Sequence, residues 1–338
     1  MNKNNKVIDF LQVYRAIAAL MVVVFHICLD LPFYFKRDFE NLQSITAIGK
    51  FGVDFFFVLS GFIISYSYFD KEIKFKSYVL NRFLRIYLPY LPIGLFLYFA
   101  YTFLPQLSNG AREFNFLATF TLLPVGEPSL SVAWTLMHEM LFYAIFAISM
   151  VNVKYFNRFL SIWMILIVLL YFTKIQTTSV YLDYFLKVLF SPYNIEFVLG
   201  YISFLIIKKK GEIKNALLYG VILIVIFIVL KLVYVQLDYF VLNLIFSFSC
   251  MFFIFFAYNS ISVKINKSSL IMKLGYASYS IYLIHLPVQA ILFRLIPHSS
   301  VIITFTIIIT VAVFVALIYS HFFENKFLFL LKKKLINN

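Results

Sequence analysis

Runs of roughly 20 apolar residues recur from one end of the chain to the other, and an α-helix of that length is what the ~30 Å hydrocarbon core of a bilayer demands. We place them at 7–29, 47–69, 86–104, 131–151, 158–173, 191–207, 215–235, 239–259, 274–296 and 301–323. The runs are continuous rather than alternating, which argues against a transmembrane β-barrel. Of the 338 residues, 63% are apolar and only 13% charged, a balance that a water-soluble domain could not present without aggregating. The expectation is an all-α, polytopic integral membrane protein with about ten transmembrane helices. One transmembrane domain would occupy 1–330, and 331–338 would form a basic, frayed cytoplasmic tail. The first run is too long for a signal-peptide core and lacks a clear small-residue cleavage site, so it reads as a retained span.

The net charge of +14 is a topology signal. With the N-terminus inside, the cytoplasmic segments carry Lys3, Lys6, Lys71, Lys74, Lys76, Arg82, Arg85, Lys154, Arg158, Lys208, Lys209, Lys210, Lys214, Lys264, Lys267, Lys273, Lys326, Lys332, Lys333 and Lys334. The opposite side carries Lys36, Arg37, Lys50, Arg112, Lys174, Lys187 and Arg294. That split of 20 against 7 follows the positive-inside rule, with both termini cytoplasmic. Nucleic acid is therefore not an expected partner. Cys28 and Cys250 both fall within spans and form no metal pattern.

Two segments differ from their neighbours. Residues 71–85 are basic with interleaved Phe75, Tyr78, Val79, Phe83 and Leu84, the pattern of an interfacial helix. The longest outer loop, about 105–130, holds a stretch at 114–123 that reads as a short interfacial or re-entrant helix, then a turn at 126–128.

Against this apolar background the ionisable residues stand out. Arg15 and His26 lie inside the first run, where such groups persist mainly when they face a protein interior or a ligand path. Their spacing is about three turns plus roughly 20°, so they share one helix face some 16 Å apart. Ala18, Ala19 and Val22 between them suggest a shallow lane. Asp30 follows His26 at i+4, and Asp54 falls at similar depth on the antiparallel second span, so either carboxylate could pair with the imidazole. Glu139, Glu196 and His285 are further intramembrane candidates, and Arg82 and Arg85 sit at the cytoplasmic rim. Each also has a structural reading: Asp54 as a helix cap, Glu139 and Glu196 as interhelical partners, the two arginines as topology determinants. His138 and His321 read as structural.

These residues occur in strings that resemble the acyltransferase-3 family of bacterial inner-membrane O-acyltransferases. Residues 11–20 (LQVYRAIAAL) with Val24, Phe25 and His26 resemble its first helix, and 52–62 (GVDFFFVLSGF) its second-helix signature. Residues 82–89 (RFLRIYLP) are similar to its Arg-x-x-Arg motif, and 134–143 (WTLMHEMLFY) to its Trp…Glu…Phe-Tyr box. Glu196, Phe197 and Gly200, then 279–287 (YSIYLIHLP), resemble two later signatures. The chain departs in having Met140 after Glu139, where a second acidic residue is common, and Tyr193 and Asn194 where an Arg often precedes the Glu.

The resemblance implies a cytoplasmic acyl-CoA donor, usually acetyl-CoA, acting as co-substrate with no metal. It also implies a carbohydrate acceptor, polysaccharide or lipid-linked sugar, at or beyond the outer leaflet. On this reading His26 is the general base, oriented by Asp54 or Asp30, with Glu139 a further catalytic carboxylate. Arg15, Arg82 and Arg85 bind the phosphates of coenzyme A. Asp30, Trp134, Glu196 and His285 support the substrate. Direct transfer and an acyl-histidine intermediate both stay open, as do the acceptor and the oligomeric state. The rival from another class is a secondary transporter or lipid-linked sugar flippase, which would also keep ionisable groups at depth.

Overall fold

The computed structural model describes residues 3–69, 71–108, 113–173, 178–233, 237–260, 265–297 and 300–336. Arg112, Lys174 and Lys264 of the charge pattern lie outside them, as do the side chains of Lys3 and Lys6 and the last two residues of the tail. The described chain is helical: α1 (Lys3–Phe35), α2 (Glu40–Thr46), α3 (Gly52–Tyr68), α4 (Phe75–Phe103), α5 (Phe116–Thr121), α6 (Trp134–Val151), α7 (Val153–Thr173), α8 (Val180–Leu189), α9 (Tyr193–Lys210), α10 (Ala216–Val233), α11 (Tyr239–Asn259), α12 (Leu270–Tyr276), α13 (Ser278–Leu295), α14 (Val301–Tyr319) and α15 (Leu328–Ile336).

Among the described residues nine helices or helix pairs are long and apolar enough to cross a membrane. There are ten when α12 and α13, bent by 80° across their break, count as one span. Each sequence-derived run has its counterpart. The lipid-facing members are visible from burial. Only 17% of Ala216–Val233 and 22% of the Val301–Lys334 window are buried, against 61% of Tyr239–Asn259. A helix that is apolar all round and mostly uncovered has hydrocarbon as its solvent.

Two expectations change. Residues 71–85 do not form a separate interfacial helix. From Phe75 onward they are the opening turns of α4, which runs on through Pro89 and Pro92. The basic, aromatic pattern marks the end of a long span as well as it marks a helix lying flat. The tail is also helical: α14 passes through a π-helical stretch, Ser320–Phe327, into α15, which continues to Ile336. The short loop helix is present as α5, N-capped by the Asn115 side chain, which accepts from the Ala118 amide at 3.0 Å.

The chain divides into two compact units, Met1–Phe56 with Ile207–Phe329, and Phe57–Ile206 with Leu330–Asn338. In the first unit α1 is the hub, contacted by α11, α12, α13, α14 and the 3₁₀ turn Ala47–Phe51. Asp9 near its start meets Lys267 Nζ at 3.1 Å, and this hydrogen bond is the main reason the exposed Lys267 ammonium titrates above its ordinary value. Phe51 is buried against Phe227 and Phe246. In the second unit α3 and α9 cross through glycines. A Cβ on Gly61 would strike the Phe197 carbonyl, and one on Gly200 the Val58 carbonyl. Small residues permit this approach, which supplies the van der Waals contact that holds helices together in lipid. Tyr90 Oη donates to Thr119 O at 2.7 Å and Ser129 Oγ to Gly94 O at 2.7 Å, tying the α5 segment to α4.

Candidate functional site

The sequence candidates fall into two groups, one in each unit. Arg15, His26, Asp30, Asp54 and His285 belong to the first; Arg82, Arg85, Trp134, Glu139 and Glu196 belong to the second.

In the first unit α1 and α13 meet through two i, i+4 pairs: His26 and Asp30 face His285 and Gln289. His26 Nδ1 lies 2.9 Å from Val22 O and 3.3 Å from His285 Nε2. His285 Nδ1 lies 2.8 Å from Tyr282 O and 3.2 Å from Ile281 O. Gln289 donates from Nε2 to the backbone carbonyl of His26 at 2.9 Å and to Asp30 Oδ2 at 2.7 Å. His285 and Gln289 are each only 1% exposed. Gln289 Oε1 is buried and has no hydrogen-bond partner among the described residues.

This corrects the expected orientation of His26. Among the described residues its imidazole is held by a backbone carbonyl and a second imidazole, not by Asp54 or Asp30. The i+4 spacing does put Asp30 on the right face, but Gln289 reaches across from α13 and takes that carboxylate. Asp54, fully buried in the first turn of α3, lies within electrostatic reach of Lys50 one turn earlier.

The lane along α1 is closed. Ala18, Ala19 and Val22 are 2%, 0% and 0% exposed. A Cβ on Gly52 would stand 2.9 Å from Val22 Cγ2, and one on Gly49 2.9 Å from Phe25 Cβ. The small residues therefore mark a tight crossing of backbones rather than a passage. A cavity of about 370 Å³ opens on the adjoining face, beside Tyr14, Ile17, Ala18 and Met21, with Phe227, Phe246 and Phe253 opposite. Its wall is almost wholly apolar, suited to hydrocarbon and not to a phosphate or a polar pantetheine.

Further along the first unit, Glu324 of the π-helical stretch accepts from the Ser280 amide at 3.0 Å and from its hydroxyl. A carboxylate on the orphan donors at the start of α13 complements the helix dipole.

The second group is built around charge. On α6, Glu139 and Tyr143 are one turn apart, and the Tyr143 hydroxyl donates to Glu139 Oε1. Ser60 Oγ donates to the same oxygen at 3.0 Å and lies 3.3 Å from Tyr143 Oη. The Arg82 guanidinium lies over two rings, 4.7 Å from the Tyr68 centroid and 5.4 Å from that of Tyr143. Its Nη2 donates to Tyr68 Oη at 3.1 Å. Arg82 Nε is buried without a hydrogen-bond partner among the described residues. Arg85 acts electrostatically on Tyr143, and Lys332 of α15 lies within reach of both arginines. The result is a cationic patch with aromatic walls.

Trp134 opens α6 against Tyr193, centroids 5.0 Å apart, and meets His138 edge-on at 5.7 Å. Glu196 is 1% exposed in the first turn of α9. Asn194, one of the two residues at the family departure, accepts through Oδ1 from His138 Nδ1 at 3.1 Å and donates from Nδ2 to Val188 O at 2.7 Å. These bonds knit α6 to the α8–α9 break, consistent with a structural His138.

Sequence reasoning missed Gln289, Glu324, Ser60, Tyr143 and Tyr68 as members of these groups. Gln289 carried a signal: an amide at i+4 from His285 in an otherwise apolar stretch. Ser60 and Tyr143 stood inside the quoted strings without being singled out.

A family model described as an acyltransferase domain (Acyl_transf_3) matches residues 8–321, nearly the whole chain. The chain belongs to the acyltransferase-3 family. No curated protein and no solved structure matches it.

Proposed function

We propose that the protein is an O-acyltransferase of the bacterial inner membrane that moves an acyl group, most simply acetyl, from cytoplasmic acyl-CoA to a carbohydrate hydroxyl. The acceptor is a cell-surface polysaccharide or a lipid-linked sugar. The observation that carries the reading is the state of His26: a half-buried imidazole in a membrane span, whose polar partners are a carbonyl and another imidazole. A group of that kind is expensive to keep in a bilayer and is fitted to accept and return a proton.

In this reading His26 takes the proton of the acceptor hydroxyl as the oxygen attacks the thioester carbonyl. The tetrahedral intermediate collapses, the carbon–sulfur bond breaks, and the proton passes to the departing coenzyme A thiolate. Arg82 and Arg85 hold coenzyme A phosphates, for which a guanidinium offers charge and a planar donor set together. Arg15 is a third candidate for that role. Because the α1 lane is closed, the pantetheine arm is not routed along it.

Mass analysis of surface and lipid-linked glycans from cells with and without the gene tests this reading. Loss of acyl mass increments from one glycan class on deletion, restored by the wild-type gene, is the expected result. Unchanged glycans, with solute flux through the purified protein in vesicles, would move the assignment to a carrier.

A further inference from the structure

We propose that His285 is a positioning residue: its Nε2 lone pair accepts the Nδ1–H of His26, so that a neutral imidazole takes the place usually filled by an orienting carboxylate. The use made of this arrangement rests on the acyl-transfer reading above; the arrangement itself does not.

The partner atoms fix the protons. A carbonyl oxygen only accepts, so a ring nitrogen directed at one must carry hydrogen. His285 Nδ1 lies within hydrogen-bond distance of two carbonyls, Tyr282 O at 2.8 Å and Ile281 O at 3.2 Å. It is therefore the protonated nitrogen, and in the neutral ring Nε2 is the acceptor. That acceptor lies 3.3 Å from His26 Nδ1. His26 Nδ1 also faces Val22 O at 2.9 Å, so it too carries hydrogen and shares it between the two acceptors. In the neutral ring His26 Nε2 is then the bare nitrogen, the one that acts as base in the reading above.

The same contacts favour the charged form that His26 adopts during the reaction. When Nε2 takes the hydroxyl proton, the imidazolium keeps its Nδ1–H on Val22 O and on the His285 lone pair, and both become charge-assisted bonds. No proton need leave the pair; the one gained at Nε2 returns to the thiolate. An ionised carboxylate in this place would add a second buried charge to a membrane span, which a neutral ring avoids. Burial of His285, at 1% exposure, keeps water from competing for its lone pair. Gln289, bonded to the His26 carbonyl at 2.9 Å, ties α13 to α1 beside the contact.

The test uses full-length protein in detergent with ¹⁵N in the histidine rings; the chain has five histidines, so His26 and His285 are assigned by the signals lost in their own variants. Wild type should show both rings protonated at Nδ1 and bare at Nε2. A His26 or a His285 protonated at Nε2 in neutral wild type would overturn the proposal without any activity measurement. His285→Leu should lower kcat by about 100-fold, within the span general-base catalysis supplies, with KM changed by less than about threefold. His285→Gln, whose carboxamide oxygen can accept the same hydrogen, should recover about tenfold of that loss. Equal losses in the Leu and Gln variants would make His285 a packing residue and end the proposal; should the Leu variant fail to insert, the wild-type spectrum and the Gln variant decide. Full activity in His26→Ala would instead overturn the function proposed above, leaving the ring protonation states as measured.

Discussion

The two polar groups of this protein solve the problem of keeping polarity in a membrane differently. Around His26 the hydrogen bonds run mostly between neutral partners: imidazole to carbonyl, imidazole to imidazole, amide to carbonyl, with Asp30 held by an amide. Around Glu139 and Arg82 the members are formally charged and are screened by hydroxyls and ring faces. A neutral network can pick up a proton and give it back with little rearrangement. A guanidinium held between aromatic faces is already committed to one charge and is fitted to hold an anion. Under the proposed function the first group would serve proton transfer and the second donor binding, and the variants below test that division.

The largest effect is expected from His26→Ala. Removing the base should cost about 1,000-fold in kcat/KM, roughly 4 kcal/mol of transition-state stabilisation, while acyl-CoA affinity stays near that of wild type. Arg82→Ala should show the opposite split, weakening acyl-CoA binding by about 10- to 100-fold for a lost charge-assisted contact; calorimetric titration with acetyl-CoA reads it. Arg82→Lys separates charge from stacking, because the ammonium keeps the charge but not the planar contact with Tyr68 and Tyr143. Little recovery in the lysine variant would tie binding to the ring-stacked geometry. Glu139→Gln leaves a weaker acceptor for Ser60 and Tyr143 and should lower stability by about 1–2 kcal/mol, seen as an earlier unfolding transition in detergent. Gln289→Leu should cost least, about 1 kcal/mol, since hydrogen bonds between membrane helices are individually modest. A much larger loss there would show that the α1–α13 register depends on that amide.

The spans were legible because the bilayer sets their length. Tyr239–Asn259 and Ser131–Val151 were read to the residue. Arg15 and His26 were legible as ionisable residues within the first span, where each is half-buried in α1. What escaped was the choice between partners. Helical spacing places Asp30 beneath His26, but it cannot say that Gln289, 259 residues further along the chain, will take the carboxylate first. Small residues between Arg15 and His26 fit a passage or a close helix contact equally well, and the backbone at Gly49 and Gly52 decides for contact. Residues 71–85 carried the amphipathic mark of an interfacial helix, yet that mark is shared by the end of a long span. The pairing of His26 with His285 joins two strings that the sequence presents separately, and only the packing of α13 on α1 brings them within 3.3 Å.

The decisive measurement is acyl transfer by the purified protein. Acetyl-CoA labelled in the acetyl group is incubated with glycans of the class that loses acylation on gene deletion, using wild type and His26→Ala matched for acetyl-CoA binding. Wild type should place ester-linked label on the glycan, and the variant none above background. Equal labelling by the two proteins would contradict the assignment of His26 as the base.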